Sequence, residues 1–145
     1  MRLVLDTNVW VSAILNPSGP PGRLVEAALE ARFEVPLTEH LWNEILQTMS
    51  KERIQRALTK KGRWNEALVL LVRMHSRVTA VEDVPPLGDW LPEDPADNWV
   101  IQCALTGKAE MIVTGDGPLL GLRAVESVRI VRVRDALLEL GIVVE

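Results

Sequence analysis

The sequence predicts a three-layer α/β/α domain: a parallel sheet of about five short strands with helices on both faces. Two observations point there. Aliphatic runs of strand length alternate with segments whose apolar residues recur three and four apart, the pattern that builds parallel sheets through right-handed crossovers. No internal repeat, low-complexity stretch or linker interrupts the 145 residues, a length suited to one domain, so residues 1–145 are expected to share a single core.

Arg2 to Leu5 is the first strand, ending at Asp6-Thr7-Asn8, which reads as a polar turn. The Pro17 to Gly22 segment is a loop, and Pro21 stands near the start of a helix through Leu24, Val25, Ala28 and Leu29. Phe33 to Pro36 suits a second strand. Thr38 is an N-cap candidate for a helix that places Leu41, Ile45, Leu46 and Met49 on one face, and Ser50 is a candidate cap for a short basic helix. Beyond Gly62, the residues Trp64, Ala67, Leu68, Leu71, Val72 and Met74 keep helical spacing, which buries Trp64, as the apolar pattern after Thr38 buries Trp42. Arg77 to Val81 alternates as a third strand.

Four prolines between Glu82 and Pro95 exclude regular structure there. Asp94-Pro95-Ala96-Asp97 then reads as a helix start, with Asp94 as N-cap, Pro95 in the first helical position and an acid in the first turn; the helix runs to Gly107. Glu110 to Val113 is a fourth strand, Thr114 to Pro118 a tight loop, Val128 to Val131 a fifth strand and Asp135 to Leu140 a closing helix.

Composition excludes several classes of protein. Hydrophobic residues at 48% and charged residues at 25% describe a packed domain rather than a disordered one. The longest apolar run, Ala67 to Val72, falls far short of the roughly 18 residues a membrane helix needs, and Asp6 breaks the N-terminal run before an export signal develops, so a cytoplasmic location is expected. One cysteine, Cys103, forms no internal disulfide, and with His40 and His75 it supplies too few ligands for structural zinc. Cys103 lies mid-helix among apolar residues and reads as a small core residue, not a nucleophile.

The net charge of −4 argues against nucleic acid as a partner, but the charges are sorted. Lys51, Arg53, Arg56, Lys60, Lys61 and Arg63 crowd one segment with a single acid, Glu52, and Arg123, Arg129, Arg132 and Arg134 form a second basic group. Glu82 to Asp97 holds only acids. That asymmetry suits one surface for phosphate and another for cations; solvated helix faces and an acidic loop account for it equally. The first basic block is the place to seek phosphate contacts. Among the five tryptophans, Trp90 in the acidic loop is the best candidate for an exposed stacking platform.

Ligands bind open parallel sheets beyond the carboxyl ends of the strands. Asp6 and Asp116 stand at two such ends, Asp97 opens the helix leading to the fourth strand, and Glu44 reaches the same edge from the side. Four converging carboxylates repel one another and persist only with shared cations, and hard oxygen donors favour Mg²⁺ or Mn²⁺. Each acid also has a local role open to it: an Asx turn at Asp6, dipole compensation at Asp97, turn stabilisation at Asp116, an exposed helix face at Glu44.

The motif series Asp6-Thr7-Asn8, Thr38 through Glu44-Ile45, Asp94-Pro95-Ala96-Asp97-Asn98 with Ala104, and Val113-Thr114-Gly115-Asp116 with Leu119-Leu120 resembles that of PIN-domain nucleases. It is most similar to PIN proteins described as toxin components of toxin–antitoxin systems, related to the VapC ribonucleases, over residues 2 to about 140. The specificity lies in the order and spacing of the whole set. The resemblance implies about five parallel strands flanked by helices, and Asp6, Glu44, Asp97 and Asp116 as metal-binding, catalytic acids. Asn8 and Thr114 resemble positions that hold those acids by hydrogen bonds. Many relatives carry a further acid where this chain has Pro118; Asp94 either substitutes for it or caps its helix, and the cap is the preferred reading.

The resemblance further implies a ribonuclease using one or two Mg²⁺ or Mn²⁺ ions on accessible RNA, a protein antitoxin and a homodimer. The alternative is a non-catalytic PIN-like module that binds RNA or protein. A phosphoacceptor receiver domain, another acidic-pocket parallel sheet, needs adjacent acids after the first strand and a lysine after the last, and this chain has neither.

Overall fold

The computed structural model describes residues 1–143. In chain order the elements are β1 (Leu3–Leu5), α1 (Thr7–Leu15), α2 (Pro20–Leu29), β2 (Val35–Leu37), α3 (Glu39–Met49), α4 (Glu52–Lys60), α5 (Trp64–His75), β3 (Val78–Ala80), α6 (Asp97–Thr106), β4 (Met111–Val113), α7 (Gly117–Leu122), β5 (Ala124–Val125), β6 (Val128–Val131) and α8 (Val133–Glu139).

β1, β4 and β6 run parallel in that order, with β5 antiparallel at the edge, and β2 pairs in parallel with β3. An Arg2–Glu34 bridge joins the two sets: Leu3 N–H donates to the Glu34 carbonyl and Glu34 N–H to the Met1 carbonyl, both at 2.9 Å. The chain therefore winds outward from β1 to β2 and β3, then returns past β1 to β4 and β6. Its direction switches between β1 and β4, where such sheets form their binding crevice. The register pairs Leu5 with Val113 and Val113 with Val131, so Asp6, Thr114 and Arg132 emerge side by side at one edge.

β1 and β4 are wholly buried because both faces are covered. α6 packs against β1, β2 and β4 and α7 lies on β6, while α1 touches α2, α3 and α5, and α2 meets α8. Burying each large aliphatic side chain of the two central strands contributes about 1.5–3 kcal/mol, which anchors the edge where the acids emerge.

Four elements differ from the sequence expectation. Thr7 opens helix α1 where a polar turn was expected, with Asp6 as its N-cap. Val9, Trp10, Val11, Ala13 and Ile14 are all buried and only Asn8 and Ser12 are exposed, so the polar face of α1 is too narrow for periodicity to detect. The expected loop at Thr114 to Pro118 runs into α7 from Gly117, with Asp116 as N-cap and Pro118 in its first turn. The residue pair of β5 folds back on β6 as an antiparallel edge that the sequence did not announce. α6 starts at Asp97 after Ala96, and Asp94 makes no capping bond: its backbone carbonyl accepts from Asp97 N–H at 3.1 Å, forming a tight turn ahead of the helix.

Two smaller expectations also change. Ser50 does not cap α4; its hydroxyl donates back to the Leu46 carbonyl at 2.8 Å, and Lys51 takes the cap position. Trp64 is 37% exposed rather than buried, on an α5 stripe continued by Leu68, Val69 and Val72. Helical spacing placed Trp64, Leu68 and Val72 in one apolar pattern with Ala67, Leu71 and Met74, but α5 turns only the last three inward. No described helix is long and apolar enough to cross a membrane.

Candidate metal centre

The strand ends place the first acids. Asp6 is only 5% exposed; its Oδ1 accepts from Thr7 N–H at 2.8 Å and its Oδ2 accepts from the Thr114 hydroxyl at 2.7 Å. The same Thr114 oxygen accepts from Asp116 N–H at 3.0 Å, so one buried hydroxyl ties the ends of β1 and β4 together. Asp116 turns one carboxylate oxygen to Leu119 N–H, at 3.1 Å, as the cap of α7. Of the two positions expected to hold acids, Thr114 makes these bonds; Asn8 is exposed on α1 and makes no such bond among the described residues.

Asp97, in the first turn of α6, faces the same crevice. Carboxylate oxygens of Asp94, Asp97 and Asp116 lie within 4.8 Å of one another. Asp94 therefore stands in the acid group rather than at a helix cap, because its loop lies back along α6. Glu44, half-buried on α3, adjoins Asp6 rather than the tight trio.

The electrostatics follow from that crowding. Burial, more than any neighbour, raises the Asp6 carboxyl above its ordinary range, although bonds from Thr114 and Thr7 oppose the shift and the Asp116 and Asp94 charges add to it. Glu44 is raised by burial and then by the Asp6 charge. Asp97 is pushed up to about 8, by burial first, then by the adjoining Asp116 carboxyl and the charges of Asp6, Asp116 and Asp94. Its Oδ2 is enclosed and, among the described residues, without a hydrogen-bond partner, as is the Thr7 hydroxyl. An unpartnered buried carboxylate oxygen among like charges is costly unless a cation shares it.

These donors are oxygens, which fit a hard divalent ion. Cys103 is buried on α6 with its thiol pushed up to about 12 by burial, so it offers neither a soft ligand nor a nucleophile.

The family is decided by the chain's match to the PIN-domain model over residues 2–117. The chain belongs to the PIN-domain family. PIN domains as a family are metal-dependent nucleases, and this one carries the acidic cluster such chemistry uses. The PIN domain also resembles an uncharacterized protein of Methanocaldococcus jannaschii, 32% identical over 124 residues that span 85% of this chain and 76% of the relative. No solved structure shows a significant match.

The basic block of this PIN domain is placed less simply than the acids. Arg63 donates to the Ile14 and Leu15 carbonyls at 3.2 and 3.3 Å, and Lys61 to Leu15 at 3.4 Å, which satisfies the C-terminal end of α1. Asp6 caps the opposite end of that helix, about 13 Å away along nine residues. Arg56 pairs with Glu52 on the exposed face of α4, where Lys51, Arg53 and Lys60 are also exposed. Arg132, exposed directly after β6, is the basic residue that the register brings to the acids' edge, and the signal for it was its position after a strand.

Aromatic residues mostly pack. Trp10 is buried edge-on to Trp42, with ring centroids 6.2 Å apart, and Trp42 meets the exposed His75 at 4.2 Å. His40 lies flat on Trp99 at 3.6 Å, one helical turn before Glu44. Trp90 is half-buried, its ring folded over Gly88 so closely that an added Cβ would sit 2.7 Å from it.

Proposed function

We propose that this PIN domain is a Mg²⁺- or Mn²⁺-dependent endoribonuclease and the toxin of a toxin–antitoxin pair, residues 1–145 acting as one domain. The observation that carries the reading is the gathering of Asp94, Asp97 and Asp116, with Asp6 and Glu44 beside them, at the switch between β1 and β4. Acids spread over 110 positions in sequence meet in a crevice that is electrostatically unfavourable when empty of cations.

Asp6, Asp97, Asp116 and Glu44 would hold one or two divalent ions, with Asp94 joining them where this chain has Pro118. A divalent ion there would polarise the phosphate, lower the pKa of water and stabilise the departing oxygen. The crowded carboxylates of the bare site would repel a phosphate, and divalent ions bound there would offset most of that negative charge. Thr114 and Thr7 N–H keep Asp6 oriented, and the Asp116 cap keeps one of its oxygens occupied while the other faces the site. Alternatively Glu44, half-buried beside Asp6, would leave the ion to the aspartates and take the proton of the attacking water as the new phosphorus–oxygen bond forms and the departing oxygen leaves with the electrons of the old one. Exposed Lys51, Arg53, Arg56 and Lys60, with Lys61 and Arg63 behind them, would attract the RNA backbone, and Arg132 adds a cation at the site's own edge.

A homodimer and a protein antitoxin each need an apolar face. The stripe of Trp64, Leu68, Val69 and Val72 on α5 supports that part of the reading. A cytoplasmic location follows from the same role.

The test is RNA cleavage by wild type and Asp116→Ala with Mg²⁺, Mn²⁺ or EDTA. Cleavage by wild type alone, abolished by EDTA, is expected. Chelator-insensitive cleavage, or equal cleavage by both proteins, would overturn the assignment, and RNA binding without cleavage would leave the non-catalytic module.

A further inference from the structure

The acidic loop is tied to α6 by two buried carboxamides one turn apart. Asn98 is 4% exposed: its Oδ1 accepts from Leu91 N–H at 3.0 Å and its Nδ2 donates to the Asp89 carboxylate at 3.1 Å. Gln102, similarly buried, accepts from Leu87 N–H at 2.9 Å and donates to the Thr106 hydroxyl at 3.0 Å. Loop backbones seldom present their amides to buried side chains without a structural consequence.

The consequence is a closed circuit of hydrogen bonds through the acids. Asp94 N–H donates to the Leu91 carbonyl at 3.1 Å, and Asp97 N–H donates to the Asp94 carbonyl at 3.1 Å. Asn98, next in sequence to Asp97, closes the ring by accepting from Leu91. The Asn98 side chain thereby fixes the backbone of Asp94 relative to that of Asp97, although it touches neither carboxylate. Four prolines deny this segment any regular ladder of its own, so few other bonds hold Asp94 in place.

We propose that Asn98 is a positioning residue for the acid cluster: by clamping Leu91 it holds Asp94 in the trio with Asp97 and Asp116, and so sets the affinity for a divalent cation. The inference rests on the metal-binding reading above and adds the residue that governs its fourth aspartate. Groups behind metal ligands typically change affinity about 10–100-fold when lost.

The experiment is a calorimetric Mn²⁺ titration of the full chain, without RNA, on wild type, Asn98→Ala, Asp94→Asn and the double variant. Asn98→Ala should weaken Mn²⁺ binding about 10-fold. In the Asp94→Asn background it should weaken binding by less than about 2-fold, because the two changes act through one carboxylate. A residue that merely stabilises the fold would lower the melting temperature and leave Mn²⁺ affinity unchanged, or would act equally in both backgrounds; either result overturns the proposal. Should Asn98→Ala fail to fold, Asp89→Ala removes an exposed partner of the same carboxamide. It should then weaken Mn²⁺ binding about 2–3-fold, again only when Asp94 is present. A wild type that binds no Mn²⁺ sinks the nuclease reading and this inference with it, whereas a binding wild type with an unaltered Asn98→Ala sinks the inference alone.

Discussion

Two arms of the site hold their acids by different means. Asp6 and Asp116 stand one residue and three residues beyond buried central strands, and the Thr114 hydroxyl bonded to both makes them one rigid unit. Asp97 stands in the first turn of α6, which packs on β1, β2 and β4, and Asp94 depends on the proline-rich loop before it, whose place is set by the Asn98 and Gln102 carboxamides. The first arm inherits its geometry from the sheet, which cannot move without opening the core. In the second, the loop that carries Asp94 is attached to α6 by a few hydrogen bonds, each worth about 1 kcal/mol.

The largest expected effect removes an acid from either arm. Asp97→Asn and Asp116→Asn should each lower RNA cleavage by at least about 100-fold while circular dichroism shows an unchanged fold, since a metal ligand matters at least as much as its supporting groups. If only one of the pair does so, the arms do not serve a common ion.

Thr114→Val preserves shape and removes the hydroxyl that joins the strand ends. It leaves Asp6 Oδ2 without its donor and Asp116 N–H without its acceptor, so urea denaturation should show a loss of about 1–3 kcal/mol. Cleavage should fall about 10-fold. Full activity at reduced stability would mean the strand-end arm needs no such tie.

The pH dependence separates the arms further. A carboxyl whose folded pKa lies above its unfolded one binds its proton more tightly when folded, so stability falls as pH rises between the two values. For Asp97 that window runs from 3.8 to about 8. The melting temperature of metal-free protein should therefore decline across it, and Asp97→Asn should remove part of the decline. Because Asp97 is partly open to solvent, the change should be on the order of 2–4 °C. Saturating Mg²⁺ should raise the melting temperature most at the alkaline end, and a metal-free protein that grows more stable toward pH 8 would contradict the crowding described above.

The smallest effect belongs to the exposed face of α5. Val72→Lys, at a position 68% exposed on α5, should alter stability by less than about 0.5 kcal/mol and leave Mn²⁺ affinity unchanged, while sedimentation velocity shifts any dimer toward monomer. A changed Mn²⁺ affinity would show that this face and the acid cluster are coupled.

The strand-end acids were legible because aliphatic runs that end in an acid report local facts: β propensity, burial on both faces and the residue that follows. Even there α1 went unread, since a helix buried nearly all round carries no amphipathic period. Asp94 was misread as a helix cap because its spacing to Asp97 suits both roles, and only the path of the loop over α6 distinguishes them. Trp64 kept helical spacing with buried neighbours yet faces outward, because period alone does not say how wide the covered stripe is.

By itself, then, the sequence determined the alternation of strands and helices, the edge at which the acids emerge and the oxygen chemistry they offer. Those depend on neighbours within a few residues. Which carboxylates come within reach of one another, and that Asn98 ties the loop of Asp94 to α6, was decided only by tertiary structure, since those contacts join segments whose separation in sequence carries no local signal.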